Sequence, residues 1–321
     1  MKKKIGLLTL ALIVTFTMIG CDEGVSPQLV FNSYAEVETG EITTEHVVGS
    51  ERTDFLVGEH VAIGDYVMVL NGFSESEGQT WDKPSNGNQF VNFDITIHNV
   101  STELRSISSL FVFEVRDSSG KGYGSILSKE DLPRLDGYIL PGGTLNGIVS
   151  FEIPYDALLE TLIFDYSLFS TGQVTFDLLM DSQMEPIQFE GTVAEYKQNS
   201  IGDVLLFEAL VYKVMGYRTS QGSADYQAKD GYVYLIFEIS VDNIATQTQT
   251  LDNRVNFTLQ CENGYNYPIV FAPDLKGSLK TELAAGKSHS AEIAFEVPAG
   301  TLCNLILVKA GALDNFYVVG R

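Results

Sequence analysis

The residues best placed to do chemistry lie in Asn92-Phe93-Asp94-Ile95-Thr96-Ile97-His98, where a carboxylate and an imidazole share one face of an alternating stretch. Such a pair could bind a metal or pass a proton. Strand geometry rules out a direct chelate: four strand residues cover ~13 Å at ~3.3 Å each, while a zinc–ligand bond is ~2 Å. The matching places further along hold Glu238 and Asp242, so no imidazole recurs. Asn92, Asp94, Thr96 and His98 therefore read as a solvent-facing strand surface. His46, His60 and His289 are scattered, without HxH or HxxxH spacing, and neither GxSxG nor SxxK is present. Asp117-Ser118-Ser119-Gly120 opens like a calcium loop but lacks the later acids that would complete it, and reads as a hairpin turn. Glu59, Asp65, Glu75 and Glu77 offer diffuse attraction for cations. No catalytic residue, metal site or cofactor is assigned, and the chain is read as a non-enzyme.

The cysteines carry chemistry of another kind. Lys2, Lys3 and Lys4 precede the apolar run Ile5 to Ile19, then Gly20 and Cys21. This is the layout of a secretory signal, and the run is shorter than the ~20 residues that span a bilayer. Met18-Ile19-Gly20-Cys21 resembles a bacterial lipobox. The resemblance implies cleavage before Cys21 and acylation of its thiol and amine, palmitate-type chains included. Two or three such chains hold a protein stably on a membrane. Cys261 and Cys303 remain, with no CxxC spacing. An exported setting permits a disulfide between them; the alternative is two buried thiols acting as small apolar side chains.

Candidate ligand contacts are aromatic. Trp81, the sole tryptophan, lies in a polar loop from Gly78 to Asn88. Tyr217, Tyr226 and Tyr232 lie in and beside the corresponding loop of the second half, read as about six residues longer. Loops on a rigid scaffold often carry binding, and Trp and Tyr are enriched where it is strong.

These residues are positioned by a duplicated element. Gly87-Asn88-Gln89-Phe90-Val91-Asn92-Phe93-Asp94-Ile95-Thr96-Ile97-His98-Asn99 is echoed 144 residues later by the run Gly231 to Asn243. The echo continues: Phe113 with Phe257, Gly120 with Gly264, Tyr123 with Tyr267, and Phe151-Glu152-Ile153-Pro154 with Phe295-Glu296-Val297-Pro298. Upstream, Ile63-Gly64-Asp65 finds its echo at Ile201-Gly202-Asp203, 138 residues on. Val91, Phe93, Ile95 and Ile97 alternate with polar residues at the period of a strand buried on one face. Further short runs, at Leu110–Val115, Gly147–Ile153, Leu162–Tyr166 and Val174–Leu179, are separated by turns, which points to antiparallel sandwiches. The division is a signal peptide at 1–20, an acidic tether at 21–53, one domain at 54–182 and a second at 187–321. The tether carries seven acids against Arg52 alone and reads as a self-repelling spacer.

Ile63-Gly64-Asp65, the long strand ending at Asn99, the Gly120/Tyr123 turn and Leu140-Pro141-Gly142 before Phe151-Glu152-Ile153-Pro154 together resemble the domain of unknown function 4352. The resemblance implies an all-β fold of two tandem immunoglobulin-like antiparallel β-sandwiches, similar to that of a mycobacterial secreted immunoprotective antigen. The family brings no activity with it.

Formal charge is −22, and loss of residues 1–20 removes three lysines and no acid, leaving −25. Such a surface repels phosphate backbones, which excludes a nucleic-acid partner. The expectation is a lipid-anchored lipoprotein exposed outside the cytoplasmic membrane, recognising an extracellular protein or an envelope polymer without catalysis. Two other readings stay open: a spacer or assembly subunit of the cell envelope, and an enzyme or enzyme inhibitor.

Overall fold

The computed structural model describes residues 28–29, 54–79, 82–127, 132–165, 173–181, 198–224, 226–251, 255–303, 305–310 and 316–320. Cys21, the tether except Gln28–Leu29, Trp81 and the stretch between the two expected domains lie outside them. The chain divides into two units, Met1–Ala194 and Glu195–Arg321.

The first unit is a sandwich. One layer orders Gln28–Leu29, His60–Ile63, Tyr66–Ser76, Asn88–Asn99 and Thr144–Pro154; the other orders Phe113–Asp117, Leu159–Asp165, Gln173–Asp181 and Asp54–Val57. Gly122–Ile126 bridges the layers, pairing with Phe113–Asp117 through one half and Thr144–Pro154 through the other. Among the described strands of this unit pairing is antiparallel except where Asp54–Val57 runs parallel to Gln173–Asp181; an isolated bridge between Arg134 and Ile148 is also parallel. The chain passes from one layer to the other at Gly58, whose φ of 86° suits the absence of a Cβ. Val91, Phe93, Ile95 and Ile97 meet Leu162, Phe164, Val174 and Phe176 in one core. Phe93 and Phe151 stack edge-on at 5.4 Å, a favoured arrangement of two ring quadrupoles.

Alternation predicts a strand from Leu110, but Ser109–Val112 forms one helical turn and the strand begins at Phe113. Asp136 accounts for this: its Oδ1 accepts from the Ser109 backbone N–H at 2.8 Å and hydroxyl at 3.1 Å.

The second unit repeats the plan. Leu205–Phe207, Leu210–Ser220, Tyr232–Asn243 and Ser288–Pro298 form one layer; Gln198–Ser200, Phe316–Gly320, Leu305–Ala310, Val255–Gln260 and Asn266–Pro268 form the other. Gln198–Ser200 is parallel to Phe316–Gly320, as its counterpart is in the first unit. The core gathers Tyr212, Phe237, Ile239, Phe257, Leu259 and Phe295. A disulfide joins Cys261 and Cys303.

The register corrects the repeat. The Gly58 N–H donates to the Leu70 carbonyl at 2.8 Å, and the Gly202 N–H to that of Val214 at 2.7 Å. Leu56 N–H donates to the Glu59 carboxylate, and Ser200 N–H to that of Asp203, each at 2.8 Å. Gly202-Asp203 thus matches Gly58-Glu59, 144 residues apart, and not Gly64-Asp65. The hairpin turn at Gly64, φ 55°, has its counterpart in Glu208, φ 54°. That turn needs a left-handed backbone, which glycine supplies most easily but other residues can adopt at a cost. The spacing of 144 holds from the pair Gly58/Gly202 to the pair Gly142/Gly286, so the loops after Gly78 and Gly222 are equal in length and the second is not longer.

Candidate functional site

The polar row on Asn88–Asn99 is only partly open to solvent: Asp94 and Thr96 are partly exposed, while its two ends are buried. Asn92 and His98 are each 5% exposed, because this central strand is flanked on both sides by long partners. Ser150 Oγ donates to Asn92 Oδ1 at 2.6 Å. Asn71 Nδ2 donates to Asp94 Oδ1 at 3.2 Å and Thr96 Oγ1 at 2.9 Å. His98 Nδ1 lies 2.9 Å from Thr144 Oγ1. Burial lowers the His98 pKa to about 4, so the ring is neutral at physiological pH. The row closes on itself across the sheet.

The residues that the two halves share have comparable tasks. Asn99, fully buried, donates to the carbonyls of Glu103 at 2.7 Å and Ile139 at 2.9 Å, and accepts from Ser101 N–H at 3.0 Å. Asn243 repeats this with Gln247, Leu283 and Ala245. Glu152 accepts from Ser85 N–H at 2.8 Å and Asn88 Nδ2 at 2.9 Å, fixing the base of the first loop. Glu296 accepts from Lys229 N–H at 2.8 Å in the second. Asp117 accepts from the Ser119 hydroxyl and N–H, Lys121 N–H and the Tyr123 hydroxyl. These donors, Ser119 foremost, lower its pKa to about 2. The calcium-like turn thus spends its carboxylate on its own backbone N–H groups and hydroxyls. The acids near the start of the first domain are not pooled either, since Glu59 caps Leu56 and Asp65 pairs with Arg105 at 2.6 Å. Among the described residues, no three His, Cys, Asp or Glu are grouped to hold a metal ion, and no helix is long and apolar enough to cross a membrane.

The aromatic candidates separate. Tyr217 follows a bulge between Val214 and Gly216 and leans on Phe237 of the core at 5.6 Å, leaving 43% of its surface exposed. Phe73 does the same over Phe93 in the first unit, at 5.3 Å and also 43% exposed. This position closes the margin of the core. Tyr232 is half-buried, with Lys229 Nζ 5.3 Å above its ring. Tyr226, 51% exposed, packs edge-on at 5.6 Å against Phe271, which is 68% exposed. Trp81 lies outside the described residues.

Phe271 was not legible as a contact residue. Its segment lies across the outer side of the sheet. Val270 N–H donates to the Ala294 carbonyl at 2.8 Å, and Val270 and Leu275 pack on Tyr234, Ile236 and Ala294. Alternation about Val270 turns Ile269 and Phe271 outward. Arg218 clamps the segment: its guanidinium reaches Asp274 Oδ2 at 2.9 Å, the Asp274 carbonyl at 3.0 Å and Glu292 Oε2 at 3.0 Å. Hydrogen bonds from Arg218 hold both carboxylates below their usual pKa range. Tyr226 is presented by the small hairpin Gly222–Ser223 and Tyr226–Gln227. A Cβ on Gly222 would collide with the Tyr226 carbonyl, and its φ is 90°, so glycine is required there. The result is an apolar ridge of Ile269, Phe271 and Tyr226 on a braced base. At the matching places the first unit has Ser125, Leu127 and Asp82, so the ridge belongs to the second unit. The legible hint was the run Ile269-Val270-Phe271 between Pro268 and Pro273: consecutive apolar residues where prolines break a strand.

Residues 55–175 and 199–312 each match the family described as Domain of unknown function (DUF4352). The chain belongs to this family. Its two DUF4352 modules are the two sandwiches just described. Similar solved structures include an uncharacterised β-sandwich protein from Clostridium difficile 630, at 14% identity over 43% of this chain and 99% of that one, with a TM-score of 0.30. The yjhA protein of Bacillus subtilis is similar at 16% identity over 38% and 98%, TM-score 0.32. The secreted protein MPT63 of Mycobacterium tuberculosis is similar at 17% identity over 40% and 99%, TM-score 0.31. No curated protein matches the chain.

Proposed function

We propose that this DUF4352 chain is a lipid-anchored, non-enzymatic recognition protein displayed outside the cytoplasmic membrane, and that it meets its partner through the apolar ridge of its second module. The exposed Tyr226–Phe271 pair on an Arg218-braced segment carries this reading. Exposed aromatics on a rigid base lose little freedom on binding, and hot spots are enriched in such rings. The Cys261–Cys303 disulfide fits an oxidising compartment, and Lys2 to Cys21 supply the signal and the acylated cysteine. The partner proposed is an extracellular protein or envelope polymer.

The test is sedimentation of the lipid-free chain with isolated cell envelopes. Tyr226→Ala with Phe271→Ala is expected to weaken binding about tenfold or more while both modules keep their unfolding midpoints. Unchanged binding by the folded double variant would reject the ridge as the contact surface. In cells, Cys21→Ser is expected to move the protein from the membrane fraction to the medium or periplasm.

A further inference from the structure

The two modules solve one corner of the sandwich differently. In the first, the turn after Phe113–Asp117 is held by Asp117 N–H to the Lys121 carbonyl, Gly120 N–H to the Asp117 carbonyl and Ser118 N–H to the Leu158 carbonyl. In the second, Cys261 N–H to Tyr265, Gly264 N–H to Cys261 and Glu262 N–H to Leu302 repeat the set, each 144 residues on. Cys261 therefore stands at the place of Asp117. Cys303 stands at that of Leu159, which faces Asp117 across the strands. The carboxylate that gathers four donors in the first module is replaced by a covalent link. Tyr267, the counterpart of Tyr123, turns to Asn263, whose Nδ2 donates to its hydroxyl at 3.0 Å. Asn263 Oδ1 also accepts from Tyr265 N–H at 3.2 Å.

We infer that the second module is a redox-conditional fold and the first is not: completion of the second requires thiol–disulfide exchange with an external disulfide donor, and a strong dithiol reverses it. In the forward step Cys261 and Cys303 lose two protons and two electrons, and the donor disulfide is reduced to two thiols. In the reverse step an external dithiol is oxidised to its disulfide while both cysteines regain thiols. Cys261 and Cys303 are 4% and 0% exposed, so the link serves the interior of the corner. A pair of thiols supplies neither the cross-link nor an acceptor as strong as a carboxylate. The ridge rests on this module, so recognition would inherit the dependence.

The experiment is hydrogen exchange on the whole lipid-free chain, oxidised and after dithiol treatment, with free thiols counted, together with the Cys261→Ser/Cys303→Ser variant. Amides of 255–268 and 305–310 are expected to lose protection roughly 100-fold on loss of the link, while those of 113–124 and 159–165 stay as they were. A third chain, Cys261→Asp/Cys303→Leu, installs the first module's solution and is expected to regain protection under dithiol. Retained protection of 255–268 in the reduced chain or in the serine variant would overturn the inference. So would equal loss in both modules. Failure of the ridge to bind envelopes would leave this result untouched, since exchange is read without a partner.

Discussion

Asn99 ends its strand with its amide fully buried and bonded to two carbonyls and a backbone N–H. Replacing it with alanine strands those groups away from water. Asn99→Ala is therefore expected to cost about 2–4 kcal/mol in the first module's denaturant transition alone, with Asn243→Ala doing the same to the second. A change below about 0.5 kcal/mol, the level of an ordinary surface substitution, would contradict the role. His98 gives a pH signature. Its folded pKa, about 4, lies below the unfolded value near 6.5, so folding favours the neutral ring. That contribution is complete above about pH 6.5 and is lost as pH falls toward 4. Asp117 acts lower, between about 3.9 and its folded value of about 2. The ring resonances of His98, followed by NMR, are expected to stay at their neutral positions down to about pH 5; a midpoint near 6.5 would show that the ring is hydrated.

At the level of elements, Arg218 sets the ridge. The carboxylates of Asp274 and Glu292 lie below their usual pKa range, so the clamp holds above about pH 4 and loosens as pH falls below it. Arg218→Ala is expected to raise hydrogen exchange of 270–276 about tenfold or more with the core strands unaffected; unchanged exchange there would show that apolar packing alone seats the segment. Much of the strand content was legible because strands buried on one face alternate, and Val91 to Ile97 do so plainly. The burial of His98 and Asn92 was not, since alternation marks the core-facing side but says nothing of what neighbouring strands place over the other. The upstream letters mislead on register for a related reason. Ile-Gly-Asp recurs as letters at Ile63 and Ile201, while the backbone preserves a left-handed turn that Gly64 and Glu208 fill with different residues. Of the binding candidates, Tyr226 lies on the ridge, Tyr217 closes the core margin and Tyr232 sits under Lys229. Phe271 was hidden because its partner lies 45 residues away in sequence.

For the whole molecule, the two DUF4352 modules share a register and differ in what they present. The first closes its polar rows and turns with internal hydrogen bonds. The second adds a disulfide and an apolar ridge. With a formal charge of −22, a ridge without charge is where a partner could approach against the least repulsion. Under the proposed function, recognition is carried by that ridge and not by the equivalent face of the first module. A photo-crosslinking residue at Phe271, compared with one at Leu127, the matching and also exposed position of the first module, tests this in intact cells. Adducts to an envelope component at position 271 and none at 127 are the predicted result; no adduct at 271, or equal adducts at both, would contradict it.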